Sequence, residues 1–413
     1  MDIFGVLQML GGLCLFLFGM ETMGDGLTKA SGNKLEKILG SLTSSVPRGV
    51  LLGCAVTAVI QSSSATTVML VGFVNSGIMR LAQAIPVIMG ANIGTTATAW
   101  LLSLASIDGS SFFIQLLKPM SFSPILAAIA IGFMMFTKNE KKHNIGLVLI
   151  GFAVLMYGMD IMSSAVEPLK DVPQFVSILT MFSNPVLGVL AGAVFTAAIQ
   201  SSSASVGILQ ALSSTGAVSY AAAIPIIMGQ NIGTCVTAMI ASVGTNKNAR
   251  RAAVVHLMFN IIGVVVLLTV FSAVRALAHP AILDEGATMG GIAVCHSLFN
   301  ILCTAMLLPA GGLLERLAIR IVPDDAQKEK LSELDERLLA TPSLALQQSR
   351  AVASQMARRA VAALCGALDS LTAYTPELAA RIREGETLCD HDEDILGTYL
   401  VKLSACKLGP AQS

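Results

Sequence analysis

The sequence predicts an all-α polytopic membrane protein built from two inverted repeats, each with a re-entrant helical hairpin and a broken helix, followed by a C-terminal cytosolic helical segment. Three observations carry this expectation. The 413 residues are 54% hydrophobic and only 13% charged, about half the charge of a soluble domain. The stretch Gly53 to Leu101 aligns without a gap on Gly192 to Ile240 at an offset of 139, with 24 identities in 49 positions. Lys and Arg also fall mostly on one side once the spans are counted, the mark of cytoplasmic loops.

Charge sets the domain boundary. Of 52 Asp, Glu, Lys and Arg residues, 24 lie in the last 91 positions, so residues 1–322 read as the membrane domain and 323–413 as a water-soluble segment. The net charge of zero averages two environments and gives no reason to expect a nucleic-acid partner. Eight cysteines (Cys14, Cys54, Cys235, Cys295, Cys303, Cys365, Cys389, Cys406) lack CxxC spacing, which disfavours a disulfide framework or a zinc site. The apolar run Ile3 to Met20 has no basic region ahead of it, so it reads as a first membrane helix rather than a signal peptide.

Runs of about 20 apolar residues, enough to span the hydrocarbon, place helices near 3–20, 82–104, 119–136, 145–165, 220–243, 252–277 and 288–312. The stretches 49–78 and 188–217 each carry Gln-Ser-Ser-Ser at the centre, as Gln61 to Ser64 and as Gln200 to Ser203. If both turn back, one side of the membrane receives Lys29, Lys34, Lys37, Arg48, Arg80, Lys138, Lys141, Lys142, Lys247, Arg250, Arg251, Arg316 and Arg320, and the other only Lys118, Lys170 and Arg275. If both crossed, this bias would mostly dissolve. Hairpins are therefore expected, with the N-terminus outside and the C-terminus cytoplasmic. Three spans plus one hairpin per repeat is an odd number of crossings, so the repeats are inverted: repeat 1 over about 5–137, repeat 2 over about 144–277, and an extra helix over about 288–312.

Each repeat has a second polar stretch, Gly90 to Thr98 and Gly229 to Thr237, preceded by Pro86 and Pro225. Pro and Gly in one membrane helix with Asn and Thr between them predict a discontinuous helix whose freed backbone groups face a ligand; close helix packing by small residues is the alternative. Half-helix N-termini favour anions, and carbonyl and hydroxyl oxygens suit a small hard cation. With no Lys or Arg in any of the four motifs, an anion would be held by dipoles and hydroxyls, and co-bound sodium would help neutralise it. His256 with Asn260, and His296 with Asn300, share helix faces at i, i+4 and read as interhelical hydrogen bonding rather than a proton relay. Glu21 and Asp160, matched at the repeat offset, read as solvated helix-end anchors.

The two plugs, each followed by Asn92-Ile93-Gly94-Thr95 or Asn231-Ile232-Gly233-Thr234, resemble the type II sodium/phosphate cotransporter family over roughly residues 5 to 315. The resemblance implies sodium-coupled symport of inorganic phosphate across the inner (plasma) membrane, with substrate between the two hairpin tips. It places Gln200, Ser201, Thr234 and Thr237 at a sodium site and Gln61, Ser62, Ser63, Ser64, Ser202 and Ser203 in the substrate region, with Asn92, Thr95 and Asn231 beside them. Co-transported sodium is the one cofactor it implies, with no organic cofactor. Asp108 lies near the position where the family's electrogenic members carry an acidic residue.

The tail is similar to the PhoU-like domain fused to bacterial members, with helices expected over 344–368 and 395–404 and the acidic run Glu386 to Asp394 ahead of the second. Only part of such a bundle fits in 91 residues, the expectation for a truncated segment. The homo-oligomeric state stays open. The competing functions are a sodium-coupled carrier of another oxyanion such as sulfate, and an intramembrane serine hydrolase using His256. The hydrolase suffers from having its serines duplicated with equal fidelity and no GxSxG, where a nucleophile needs one base and one oxyanion hole. A non-enzyme is expected.

Overall fold

A computed structural model describes residues 3–31, 45–75, 79–106, 119–323, 334, 338–339 and 342–404. Asp108, Lys34, Lys37, Lys118 and Cys406, named above, lie outside them. The chain divides into two compact units, Met1–Val71 with Leu81–Pro323, and Gly72–Arg80 with Asp324–Ser413. Among the described residues there is no strand, only an isolated bridge between Ser219 and Gly286.

The helices are α1 Ile3–Ser31, α2 Val46–Ile60, α3 Ser63–Asn75, α4 Leu81–Ser103, α5 Pro119–Phe136, α6 Glu140–Val166, α7 Pro173–Met181, α8 Pro185–Ile199, α9 Ser202–Ser213, α10 Tyr220–Ala241, α11 Lys247–Leu277, α12 Met289–Leu307, α13 Gly311–Ile321, α14 Pro342–Ser370 and α15 Pro376–Ser404. Seven are long and apolar enough to cross a membrane: α1, α4, α5, α6, α10, α11 and α12. They coincide with the seven spans read from the sequence. The stretches 49–78 and 188–217 instead resolve into the short pairs α2/α3 and α8/α9, each parted at its Gln-Ser-Ser-Ser. Fifteen residues in α2 or α8 rise only about 22 Å, short of the ~30 Å hydrocarbon.

Glycine lets these helices approach to backbone contact. A Cβ added to Gly53 of α2 would lie 2.0 Å from the Val87 carbonyl oxygen of α4, and one on Gly90 of α4 would lie 1.9 Å from the Val50 oxygen of α2. In the second half a Cβ on Gly192 would lie 2.1 Å from the Ile226 oxygen, and one on Gly229 2.0 Å from the Val189 oxygen. These are the same contacts moved by 139 residues. Residue numbers rise together along both helices of each pair (Val50 with Gly90, Cys54 with Gly94), so α2 runs parallel to α4 and α8 to α10. The chain must therefore reverse between the paired helices, at the plug.

This packing corrects one expectation. α4 and α10 run as helix straight through Asn92–Thr95 and Asn231–Thr234, so neither is a broken helix. Pro86 and Pro225 sit in the second turn of each, where the missing N–H frees only the carbonyl of Ala82 or Ala221. Gly90, Gly94, Gly229 and Gly233 serve the close approach. Asn92, Thr95, Asn231 and Thr234 bond back to the carbonyls of Ile88, Ala91, Ile227 and Gln230 at 2.9–3.0 Å, which keeps each polar group satisfied on its own helix.

The centre of the first unit is the pair α1/α6. A Cβ on Gly19 would meet the Leu155 amide nitrogen at 2.3 Å, and one on Gly158 the Phe16 amide nitrogen at 2.3 Å. Since Gly158 is Gly19 moved by 139, and Leu155 occupies the place of Phe16, the contact is reciprocal, as across a two-fold axis. Gly12 meets Met162 and Gly26 meets Val148, so the two helices are antiparallel. Phe16, Leu155, Met156, Met159 and Met162 form the buried cluster around this crossing. α9 joins it where the Phe16 ring lies over Gly207. Fully buried Gln210 fastens α9 by donating to the Ala99 oxygen at 3.0 Å and the Met289 oxygen at 2.9 Å.

In the tail, α14 and α15 pair antiparallel, with Gly366 near Leu378 and Ile382, and Arg359 Nη1 bonded to Asp392 Oδ2. The acidic run Glu386 to Asp394 lies inside α15 rather than ahead of it, and Asp392 is buried against its arginine.

Replacing Gly229 or Gly90 by Ala forces a methyl group onto a carbonyl oxygen and should destabilise the protein by on the order of 1–3 kcal/mol. Gly11→Ala and Gly132→Ala, where nothing lies within 4 Å, should leave it unchanged. Residual monodisperse protein after heating in detergent reads the difference; equal melting of all four variants would dissolve the close-packing account.

Candidate functional site

Each plug is a two-residue break between helices. Gln61 and Gln200 cap α2 and α8 in the left-handed conformation, at φ 59° and 58°, a region where a glutamine is uncommon and strained by roughly 1 kcal/mol or more. The same strain held at both copies marks a turn whose side chain is needed. The following serine opens the next helix: Ser62 Oγ accepts from the Ala65 amide at 3.1 Å, and Ser201 Oγ accepts from the Ala204 amide at 3.2 Å. Ser63, Ser64, Ser202 and Ser203 form the first turns of α3 and α9. Their amides have no carbonyl within their own helix to bond to. Each plug thus offers free N–H groups, hydroxyls and the positive end of a helix dipole, with no side-chain charge. Ser63, Ser202 and Ser203 are buried and Ser62, Ser64 and Ser201 are half-buried.

Behind each plug a polar lock ties the two arms together. Thr57 Oγ1 donates to Thr66 Oγ1 at 3.1 Å in the first, and Thr196 Oγ1 donates to Ser205 Oγ at 2.8 Å in the second. All four are buried. The second lock is extended by Gln230, whose Nε2 donates to the same Ser205 oxygen at 2.8 Å. Gln230 stands where the first repeat has Ala91.

The two plugs differ at the adjoining helix. Thr98 Oγ1 of α4 donates to Gln61 Oε1 at 3.1 Å, and Gln61 Nε2 turns back to the Ala58 oxygen, so the first glutamine is closed on itself. At the equivalent place in the second repeat, Thr237 Oγ1 is buried without a partner and Gln200 is exposed. Thr234 lies one turn before Thr237 on the same face. Of the four residues expected at a sodium site, Thr237 holds an unpaired oxygen, whereas Ser201 Oγ accepts from the Ala204 amide and Thr234 Oγ1 donates to the Gln230 oxygen. No hydrogen bond joins the two plugs among the described residues. One hydrogen-bonded link between the halves is at Asn260 of α11, whose Nδ2 donates to the His256 oxygen at 3.0 Å, to Cys235 Sγ at 3.2 Å and to Asn92 Oδ1 at 3.5 Å. Asn260 fills the interhelical role expected of its face, whereas His256 Nδ1 and His296 Nδ1 are buried without partners and Asn300 Nδ2 bonds the His296 oxygen of its own helix.

Sequence reading did not single out Thr57, Thr66, Thr98, Thr196, Ser205 or Gln230. Thr57 and Thr98 recur as Thr196 and Thr237 at the repeat offset, a signal that was present. The bond from Gln230 to Ser205 has no counterpart in the first repeat and left no such trace.

The model of the Na+/Pi-cotransporter family matches residues 15–164 and 169–294, a region that contains both plugs and both glycine-packed helix pairs. The chain belongs to the Na+/Pi-cotransporter family. A Salmonella typhimurium relative, named as a candidate inorganic phosphate export protein, is 27% identical over 345 residues, 83% of this chain and 61% of its own length. A Bacillus subtilis protein without an assigned role is 26% identical over 314 residues, 75% of this chain and 96% of its own length. The human sodium-dependent phosphate transport protein 2B is 41% identical over 133 residues, 30% of this chain and 19% of its own. The chain thus spans 61% of the length of the Salmonella relative. No solved structure matches it. The family is one of transporters, which agrees with the non-enzyme reading and sets the hydrolase aside.

Ser205→Ala leaves the Thr196 hydroxyl and the Gln230 amide unpaired in a buried place, at about 1–3 kcal/mol. Ser205→Thr keeps the oxygen, as Thr66 does in the first repeat, and should be tolerated. Melting temperatures of the two variants in detergent check this, and equal loss in both would make the site a matter of volume rather than hydrogen bonding.

Proposed function

We propose that this chain carries inorganic phosphate across the cytoplasmic membrane by symport with sodium, the two ions meeting between the hairpin tips. The observation that carries the reading is the contrast between the plugs: Thr98 and Gln61 satisfy each other, whereas Thr237 Oγ1 and Gln200 are left open. Hard oxygen donors without a proton partner suit sodium. In this reading Gln200, Ser201, Thr234 and Thr237 hold the cation. Phosphate takes the free amides and hydroxyls of Ser63, Ser64, Ser202 and Ser203, with Gln61, Ser62, Asn92, Thr95 and Asn231 around it. The bound cation offsets the anion's charge where the protein supplies none.

The hairpins are re-entrant and the repeats inverted in this reading, with the N-terminus outside and the tail cytoplasmic. The reciprocal antiparallel contact of α1 with α6, and the parallel course of α2 with α4 and α8 with α10, support both. Such a carrier moves both ions the same way, and the gradients set which way. The name of the Salmonella relative favours net export as a second reading, in which the outward phosphate gradient drives the cycle.

Labelled phosphate in proteoliposomes should enter with an inward sodium gradient and leave when both gradients are reversed; movement indifferent to sodium would sink the coupling. Thr237→Ala and Gln200→Ala should weaken sodium activation, and Ser63→Ala and Ser202→Ala should each raise the phosphate concentration needed by roughly ten- to hundredfold, the loss of a charged hydrogen bond. Arsenate should compete and sulfate should not; equal competition would move the substrate to another oxyanion. For topology, single cysteines at Asn139 and Asn248 should react only with reagents reaching the cytosol and one at Asp284 with external reagent. Labelling of Asn139 and Asn248 from opposite faces would contradict inversion.

A further inference from the structure

We propose that the cavity walled by Asp160 is a binding site for a partly hydrated monovalent cation, distinct from the residues of the hairpin tips. The cavity has a volume of about 420 Å³ and lies among the end of α4, the start of α5, α6, the end of α9 and the start of α12. No residue of either plug lines it. Among the described residues that line it, Asp160 is the sole ionisable one. It sits within a helix apolar enough to span the membrane, and it has no cationic partner among the described residues. Asp160 is exposed where it lines the cavity, so its charge acts on whatever enters.

The hydroxyls around it are turned to favour a cation. Ser106 Oγ donates to the Ser103 oxygen at 2.8 Å, Ser213 Oγ to the Gln210 oxygen at 2.8 Å and Ser214 Oγ to the Ala211 oxygen at 2.6 Å. With their protons committed to helix carbonyls, these three serines have only lone pairs left for the cavity. Ser163, one turn beyond Asp160, also lines the cavity, and its hydroxyl has no partner. A cation entering meets one full negative charge and the lone pairs of several hydroxyl oxygens.

Size and charge set the class of ion. The cavity holds roughly a dozen waters at ~30 Å³ each, so the ion keeps much of its shell and the site discriminates weakly among sodium, lithium and potassium. One carboxylate is too little ligand charge for tight calcium binding, which gathers several. The glutamate that repeats Asp160, Glu21, lines no part of this cavity, so the charge comes from the second repeat while both repeats supply the walls.

The test uses the full chain in detergent, in a Thr237→Ala background so that the tip site contributes nothing. Melting is followed as sodium chloride replaces N-methyl-D-glucamine chloride at constant ionic strength. Sodium should still stabilise Thr237→Ala, because an ion that binds the folded form shifts its melting; the shift should vanish in Thr237→Ala/Asp160→Asn, and potassium should substitute for sodium in the first. If the tip site is misassigned, Thr237→Ala simply behaves as the unmodified chain and the comparison still reads Asp160. A second measurement places a cysteine by Ser214→Cys: a cationic methanethiosulfonate should react about tenfold faster than an anionic one, sodium should slow it, and Asp160→Asn should bring the two rates together. An unchanged sodium shift on Asp160→Asn, or equal reagent rates with Asp160 present, overturns the proposal.

Discussion

Backbone-to-backbone contact at glycine is the constraint from which the rest of the membrane unit follows. In lipid the helices gain little by hiding apolar side chains from one another, so association rests on close packing. The Gly19–Leu155 and Gly158–Phe16 contacts bring α1 against α6. The glycine pairs on α2 and α4, and on α8 and α10, do the same for the two arms that carry the plugs. Phe16 then fills the space over Gly207, and Gln210 pins α9 to its neighbours. At each plug the chain turns through a glutamine in the left-handed conformation.

The same contact explains how the polar groups are distributed. Where two backbones touch, side chains are excluded, so Asn92, Thr95, Asn231 and Thr234 bond to their own helices. Thr237 Oγ1, Gln230 Oε1 and Gln210 Oε1 are all buried without partners in the second repeat, while the matching Thr98 in the first is paired. Two copies of one sequence pattern have thus become unequal in what they leave open.

Much of this was legible in the sequence. Seven spans followed from apolar length alone, and the helix breaks at Gln61–Ser62 and Gln200–Ser201 fell at the duplicated plugs. The misreading at Asn92–Thr95 has a physical cause: glycine, asparagine and threonine are the residues both of an unwound helix and of a tight helix crossing, and only the partner helix distinguishes them. Thr98 was in view but not its bond to Gln61, because a contact across 37 residues depends on the parallel course of α2 and α4. Asn260 was assigned to the correct helix face, yet its link to Asn92 joins the two halves in a way no local spacing records. In the tail the helix was expected to begin after the acidic run; burying Asp392 against Arg359 allows the run to continue it.

The depth of the glycine contacts also bears on what can move. With carbonyl oxygens seated where a methyl group would be, α2 cannot slide along α4 by a residue without first lifting away from it, and α8 is keyed to α10 in the same manner. Each hairpin is therefore the end of a stiff lever that includes its neighbouring long helix, not a loose flap hinged at its own base.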